Sequence, residues 1–253
     1  MSTGKLIKIY IAGTMLQMFL SCTIIAALRM HQITYSPIWN IAFLVIGGTS
    51  SALWGIIVSV LSIKDKTALI IIKDFFKLKQ NIAHYALPLV FILIIFTPPL
   101  VTYGFNEGFK WYTFFFLFAL AIIFGGIEEI GWRYTFQPLV EKKLPFEIAC
   151  IITFICWGAW HYMYFYLTGT LQAVNHLSFC IGLLGSCFIL GTIYRKSKSL
   201  WLCVLYHCLL NVFSQTVQAG SLPMVFITNG VCILICIVLV RSEDKKLKFN
   251  PVK

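Results

Sequence analysis

Apolar residues run along this chain in long blocks separated by short polar, often basic, stretches. A bilayer core needs about 20 apolar residues per helix. Eight blocks meet that length, at residues 8–28, 38–63, 85–106, 111–139, 146–167, 174–194, 199–218 and 222–241. The expected fold is all-α: a polytopic membrane protein of eight transmembrane helices, forming a single membrane domain over residues 1–253. Lys5 and Lys8 make the first block look like a signal peptide. Its apolar run is long, however, and no A-x-A cleavage site follows, so it counts as a span. Residues 64–84 are basic and partly amphipathic, which predicts a helix lying on the cytoplasmic membrane surface. Pro98 and Pro99 each delete a backbone donor and should kink the third span. Ser178/Gly182/Ser186 and Cys187/Gly191 should let the sixth pack closely on a neighbour.

Composition agrees with this pattern and removes alternatives. Of 253 residues, 59% are hydrophobic and 11% charged, with mean hydropathy +0.86. A soluble domain carries about 25% charged residues, so a water-facing globule and a disordered chain are both excluded. The net charge of +11 does not signal nucleic acid, because the cations lie in patches between apolar blocks and not on one soluble face. All but Arg29 and Lys110 of the 20 Lys and Arg fall on one side when loops are assigned alternately. Both termini are therefore expected to be cytoplasmic, in a multi-pass protein of a bacterial plasma membrane. The nine cysteines, at 22, 150, 156, 180, 187, 203, 208, 232 and 236, all lie in apolar segments without a CxxC pair. They read as small buried hydrophobes, not a disulfide framework or a thiolate metal site.

Candidate chemistry begins with charges placed inside spans. Seven of the nine acidic residues lie in or beside loops; the exceptions are Glu128 and Glu129. An ionised carboxylate in mid-helix costs about 2.5–3.5 kcal/mol on insertion scales, so such residues usually face a polar cavity. Glu129 and Arg133, four apart, can pair on one face. Glu128, rotated about 100° from Glu129, is then the chemically available carboxylate. The plainer alternative is that both glutamates end a helix at the interface. Trp157 and His161 share a face of the fifth span, and His207 and Asn211 share one on the seventh. Either could be packing or interhelical glue. Three helices with buried polar groups are most simply satisfied by one hydrated pocket, which requires the fourth span to run to about Leu139 and set Glu128 about 16 Å deep.

The order Glu128-Glu129-x-x-x-Arg133, Trp157-x-x-x-His161, His207-x-x-x-Asn211 resembles the CAAX protease and bacteriocin-processing (CPBP, or Abi) family of intramembrane endopeptidases, which includes Rce1-like prenyl-protein proteases. The resemblance covers about residues 120–215, the catalytic core it implies. Two departures stand out: Tyr134 where a Gly commonly follows the Arg, and Tyr162-Met163 in place of Leu-Pro. The resemblance implies hydrolysis of a peptide bond in a membrane-associated or lipid-modified protein or peptide. Glu128 and His161 would activate water, His207 and Asn211 would donate to the oxyanion, and Glu129, Arg133 and Trp157 would support them. No metal is expected, since no HExxH occurs; a zinc set of Glu128, His161 and His207 is the alternative. Two other functions are open: a non-catalytic bacteriocin or peptide immunity protein, and a small-molecule transporter. The absence of repeat symmetry argues against the transporter.

Overall fold

The computed structural model describes residues 1–31 and 37–249, with backbone alone for Pro37 and residues 245–249. Within the basic tail, Lys253 and the side chains of Lys245, Lys246 and Lys248 lie outside the described residues. In chain order the helices are α1 (Thr3–Met30), α2 (Pro37–Gly48), α3 (Ser50–Ser62), α4 (Ala68–Phe75), α5 (Ile82–Tyr103) and α6 (Trp111–Ala121). A π-helical turn (Ile122–Gly126), α7 (Glu128–Gly131), a second π turn (Trp132–Phe136) and α8 (Gln137–Glu141) follow. The chain continues through α9 (Phe146–Thr168), α10 (His176–Ser197), α11 (Leu200–Thr216) and α12 (Leu222–Phe249). No strand occurs among the described residues, only an isolated bridge between Phe105 and Val217.

Among the described residues, seven segments are long and apolar enough to cross a bilayer, and they match seven of the eight expected spans in order. The eighth, expected at 199–218, is α11, which has 17 residues; at 1.5 Å per residue it reaches about 26 Å, the short end of the spanning range. The fourth is a 31-residue helical segment, Trp111–Glu141, so the long course that the buried glutamates required is present. The single surface helix expected over 64–84 is a correction: the helical parts there are Ala68–Phe75 and the start of α5 at Ile82. Ile71 and Phe75 are buried, while Leu69, Ile70, Ile72 and Phe76 are exposed. The third span stays helical through Pro98 and Pro99, and the hydroxyl of Thr102 donates to the Pro98 carbonyl at 2.8 Å.

The chain divides into two compact units, Met1–Ile72 with Ile127–His176 and Lys73–Gly126 with Leu177–Lys253. In the first, glycines let helices approach to backbone contact. A Cβ on Gly55 would lie 2.7 Å from the Gly131 Cα, and one on Gly131 would lie 2.3 Å from the Ser51 carbonyl oxygen and 2.4 Å from the Tyr10 hydroxyl. Lipid tails are as apolar as leucine, so close packing of this kind, more than hydrophobic burial, holds membrane helices together. Tyr10 stacks on Phe136 at 5.1 Å and meets the edge of Trp132 at 5.5 Å. The Thr135 hydroxyl lies 2.7 Å from Ser59 Oγ and 2.8 Å from the Ile130 carbonyl, five residues back. Arg29, one of the two cations outside the basic pattern, donates to the Tyr166 and Leu167 carbonyls at the end of α9. It thereby satisfies acceptors the helix leaves open.

In the second unit the close approach on α10 departs from expectation at one position. A Cβ on Gly182 would meet nothing within 4 Å, whereas one on Gly185 would meet Asn229 Oδ1 at 2.1 Å. Gly182 of the expected row thus makes no close contact, while Ser186 and Cys187 of that row are buried and the neighbouring Gly185 meets α12. All nine cysteines are free thiols. Phe213 of α11 packs between Phe96 and Phe114, at 5.3 and 5.6 Å. The Asn106 amide donates to the Gln215 carbonyl at 2.9 Å, tying down the end of α11.

The glycine contacts make a paired prediction. Gly131→Ala should lower stability by about 1–3 kcal/mol or more, because backbone cannot yield as a flexible side chain can. Gly182→Ala should leave the thermal unfolding midpoint in detergent at the wild-type value or slightly above it.

Candidate active site

The first unit holds five of the seven sequence-predicted site residues, and Glu128, Arg133 and His161 each contact a fourth, Trp157. Glu128 and Glu129 lie on α7, a single turn bracketed by two π turns, and Arg133 lies in the second of them. Trp157 and His161 come from the middle of α9. The indole Nε1–H of Trp157 donates to Glu128 Oε2 at 2.7 Å. The Arg133 guanidinium carbon sits 4.2 Å from the centre of the same indole face. His161 Nδ1 lies 2.9 Å from the Trp157 carbonyl oxygen, and the two rings meet edge to face at 5.0 Å.

Each contact has a chemical consequence. Arg133 Nε lies 3.7 Å from Glu129 Oε2, and both side chains are 0% exposed. The expected structural pair is therefore present, and the aromatic face adds a cation–π attraction of about 2 kcal/mol when desolvated. Glu128 is buried as well, 4% exposed, and accepts a hydrogen bond from another helix. A carbonyl oxygen only accepts, so His161 Nδ1 carries a proton. When the ring is neutral, Nε2 is its acceptor.

The second unit holds the other pair. His207 is buried and Asn211 half-buried on α11, and both face Gly125 of the first π turn. A Cβ on Gly125 would lie 2.4 Å from Asn211 Nδ2 and 3.2 Å from His207 Nε2. A Cβ on the adjacent Gly126 would lie 2.8 Å from Val204 Cγ1 and 3.4 Å from Cys208 Sγ. The bare Gly125-Gly126 backbone is what admits this face of α11. The remaining histidine contact of note is peripheral: His176 stacks on Tyr162 at 5.7 Å.

Three features escaped the sequence. Neither π turn has a periodicity signal; the Gly125-Gly126 pair was the one visible hint, since such bulges recur at functional sites. The indole's hold on Glu128 needs the fold, because Trp157 is 29 residues away. Tyr134, one of the departures, has Lys66 over its ring at 4.6 Å.

As for a metal, structural and catalytic zinc sites use three or four protein ligands. The first unit offers Glu128 and His161, with Glu128 already bonded to an indole and Glu129 paired with Arg133; the second offers His207. Among the described residues of either unit, no three His, Cys, Asp or Glu form a group that could hold an ion.

Residues 110–213 match the family described as Type II CAAX prenyl endopeptidase Rce1-like. All seven candidate residues lie inside that segment. The chain is also 28% identical over 176 residues to the CAAX prenyl protease 2 of Methanococcus maripaludis. That alignment covers 64% of this chain and 63% of the relative, so the match spans a little under two thirds of the relative's length. The resemblance drawn from the three polar motifs is thus borne out as Rce1-like.

Removing one partner of a buried ion pair strands the other charge, at a cost of about 3–5 kcal/mol. Arg133→Met should therefore unfold the protein at much lower temperature in detergent. Adding Glu129→Leu to it should recover part of the loss, which a melting series of the two single variants and the double variant would read out.

Proposed function

We propose that this chain, Rce1-like in the segment that carries its buried polar residues, is an intramembrane endopeptidase. The observation that supports it most directly is a carboxylate, Glu128, buried in a membrane-spanning segment and held by an indole. The same tryptophan's carbonyl sets the neighbouring imidazole to accept at Nε2. A buried acceptor pair of this kind suits activation of water, and placing it in hydrocarbon serves no packing purpose.

In the proposed reaction Glu128 takes a proton from water, and His161 Nε2 accepts a hydrogen bond that orients it. The water oxygen attacks the scissile carbonyl carbon. Negative charge on the carbonyl oxygen is met by donors from His207 and Asn211, each worth about 2.7–4 kcal/mol in other proteases. The proton held by Glu128 then passes to the amide nitrogen, the C–N bond breaks, and a carboxylic acid and an amine leave. Glu129 and Arg133 neutralise one another beside this chemistry and keep the segment folded.

The relative's name points to a prenylated C-terminal Cys-aliphatic-aliphatic-X segment as the first substrate class to try, with the bilayer holding the lipid. Leader peptides and small membrane proteins form the second class. Both termini are proposed to be cytoplasmic, from the distribution of Lys and Arg.

Two experiments follow. Glu128→Gln is nearly isosteric and should lower kcat by about 10²–10⁴-fold at unchanged expression, while a chelator should leave wild-type processing intact. Unchanged processing by the Gln variant would overturn the role of Glu128, and a binding or immunity protein would tolerate the change. Reporter fusions at each terminus should both give the cytoplasmic signal; a signal from opposite sides would mean an odd number of crossings.

A further inference from the structure

Trp157 lies in the middle of α9, where its ring system could serve as apolar filling alone. Its geometry does more than that. The indole Nε1–H points at Glu128 Oε2 at 2.7 Å, within the range of a charge-assisted bond. Both groups are buried, at 1% and 4% exposure, so bulk solvent does not displace the bond. One face of the same ring carries the Arg133 guanidinium at 4.2 Å, and its backbone carbonyl holds His161 Nδ1 at 2.9 Å. The ring itself is held in turn, 6.5 Å from Trp132.

A carboxylate on a flexible two-carbon stem has rotamers to spare, and α7 is a single turn between two π turns. A donor on another helix gives Oε2 a fixed direction. We infer that the indole N–H of Trp157 is a positioning group for Glu128: it anchors Oε2, fixes the plane of the carboxylate, and leaves catalysis to the remaining acceptor capacity of that group. A carboxylate has about four lone-pair sites, so one bond does not exhaust it. The inference rests on the proposal that Glu128 is the general base, and it adds that an N–H donor, not merely an aromatic ring, is required at position 157.

Trp157→Phe isolates the effect. It keeps an aromatic face for Arg133 and the backbone carbonyl for His161, and it removes only the donor. Its kcat should fall by about 10- to 100-fold, the size expected when a reacting group loses its fixed orientation, with KM unchanged and the melting temperature close to wild type. Trp157→Leu, which also removes the face under Arg133, should add a clear loss of melting temperature. A purely structural role predicts the opposite order, with stability and activity falling together in Trp157→Phe.

An activity-independent measurement separates this idea from the peptidase proposal. In protein labelled with 15N at its seven tryptophans, the indole resonance that disappears in Trp157→Phe belongs to Trp157. It should lie downfield in the wild type and move upfield in Glu128→Ala. If that resonance does not move, or if Trp157→Phe keeps wild-type kcat while Glu128→Gln loses it, the positioning role is overturned and the endopeptidase proposal stands. If no peptide is cleaved but the resonance moves, the anchor exists and the endopeptidase proposal fails.

Discussion

An ionised side chain in hydrocarbon must have a partner, and this constraint organises the first unit. Arg133 and Glu129 are fully buried and neutralise each other. The indole of Trp157 spreads the remaining demands, offering a π face to the cation and an N–H to the second carboxylate. Water would screen and satisfy these groups at a surface; inside a bilayer each unsatisfied one costs several kcal/mol. The partners are therefore part of the fold as much as of the chemistry.

Meeting that demand requires helices to come closer than ordinary side chains allow. Gly55 and Gly131 bring two backbones together, and Gly13 accepts the ring of Trp54, which a Cβ would meet at 2.1 Å. In the second unit, Gly125 does the same for the polar edge of α11. Glycine in a helix interior costs about 1 kcal/mol relative to alanine, so its placement at these crossings reflects contacts that no larger residue permits. The π turns on either side of α7 belong to the same solution. Each inserts an extra residue into a turn, which changes the direction in which the following side chains point.

Much of the candidate site could be seen in the sequence because charge in an apolar block is conspicuous. Glu128, Glu129 and Arg133 stand out against a background of Ile, Phe and Gly, and i,i+4 spacing alone paired Glu129 with Arg133. His161 and His207 were found by the same contrast. The fourth span's full length was implied by the depth those glutamates needed. Less visible were features that depend on which neighbour arrives. Gly182 and Gly185 lie on one helix and are equally small, yet only Gly185 meets Asn229. The basic stretch after α3 suggested a continuous surface helix, but α4 is only eight residues long, since an isolated short helix gains too little from its own hydrogen bonds to extend without packing.

The amino-acid sequence alone determined the helical, membrane-spanning class, the order of the apolar segments and the identity of the polar residues inside them. Those properties are local: block length, hydropathy and spacing along one helix. Tertiary structure decided which groups meet across helices, namely the indole on Glu128, the guanidinium on that indole, the imidazole's protonated nitrogen, and the bare glycines that admit α11. Such contacts join residues tens of positions apart, and spacing along the chain carries no record of the distance between two helices once they have packed.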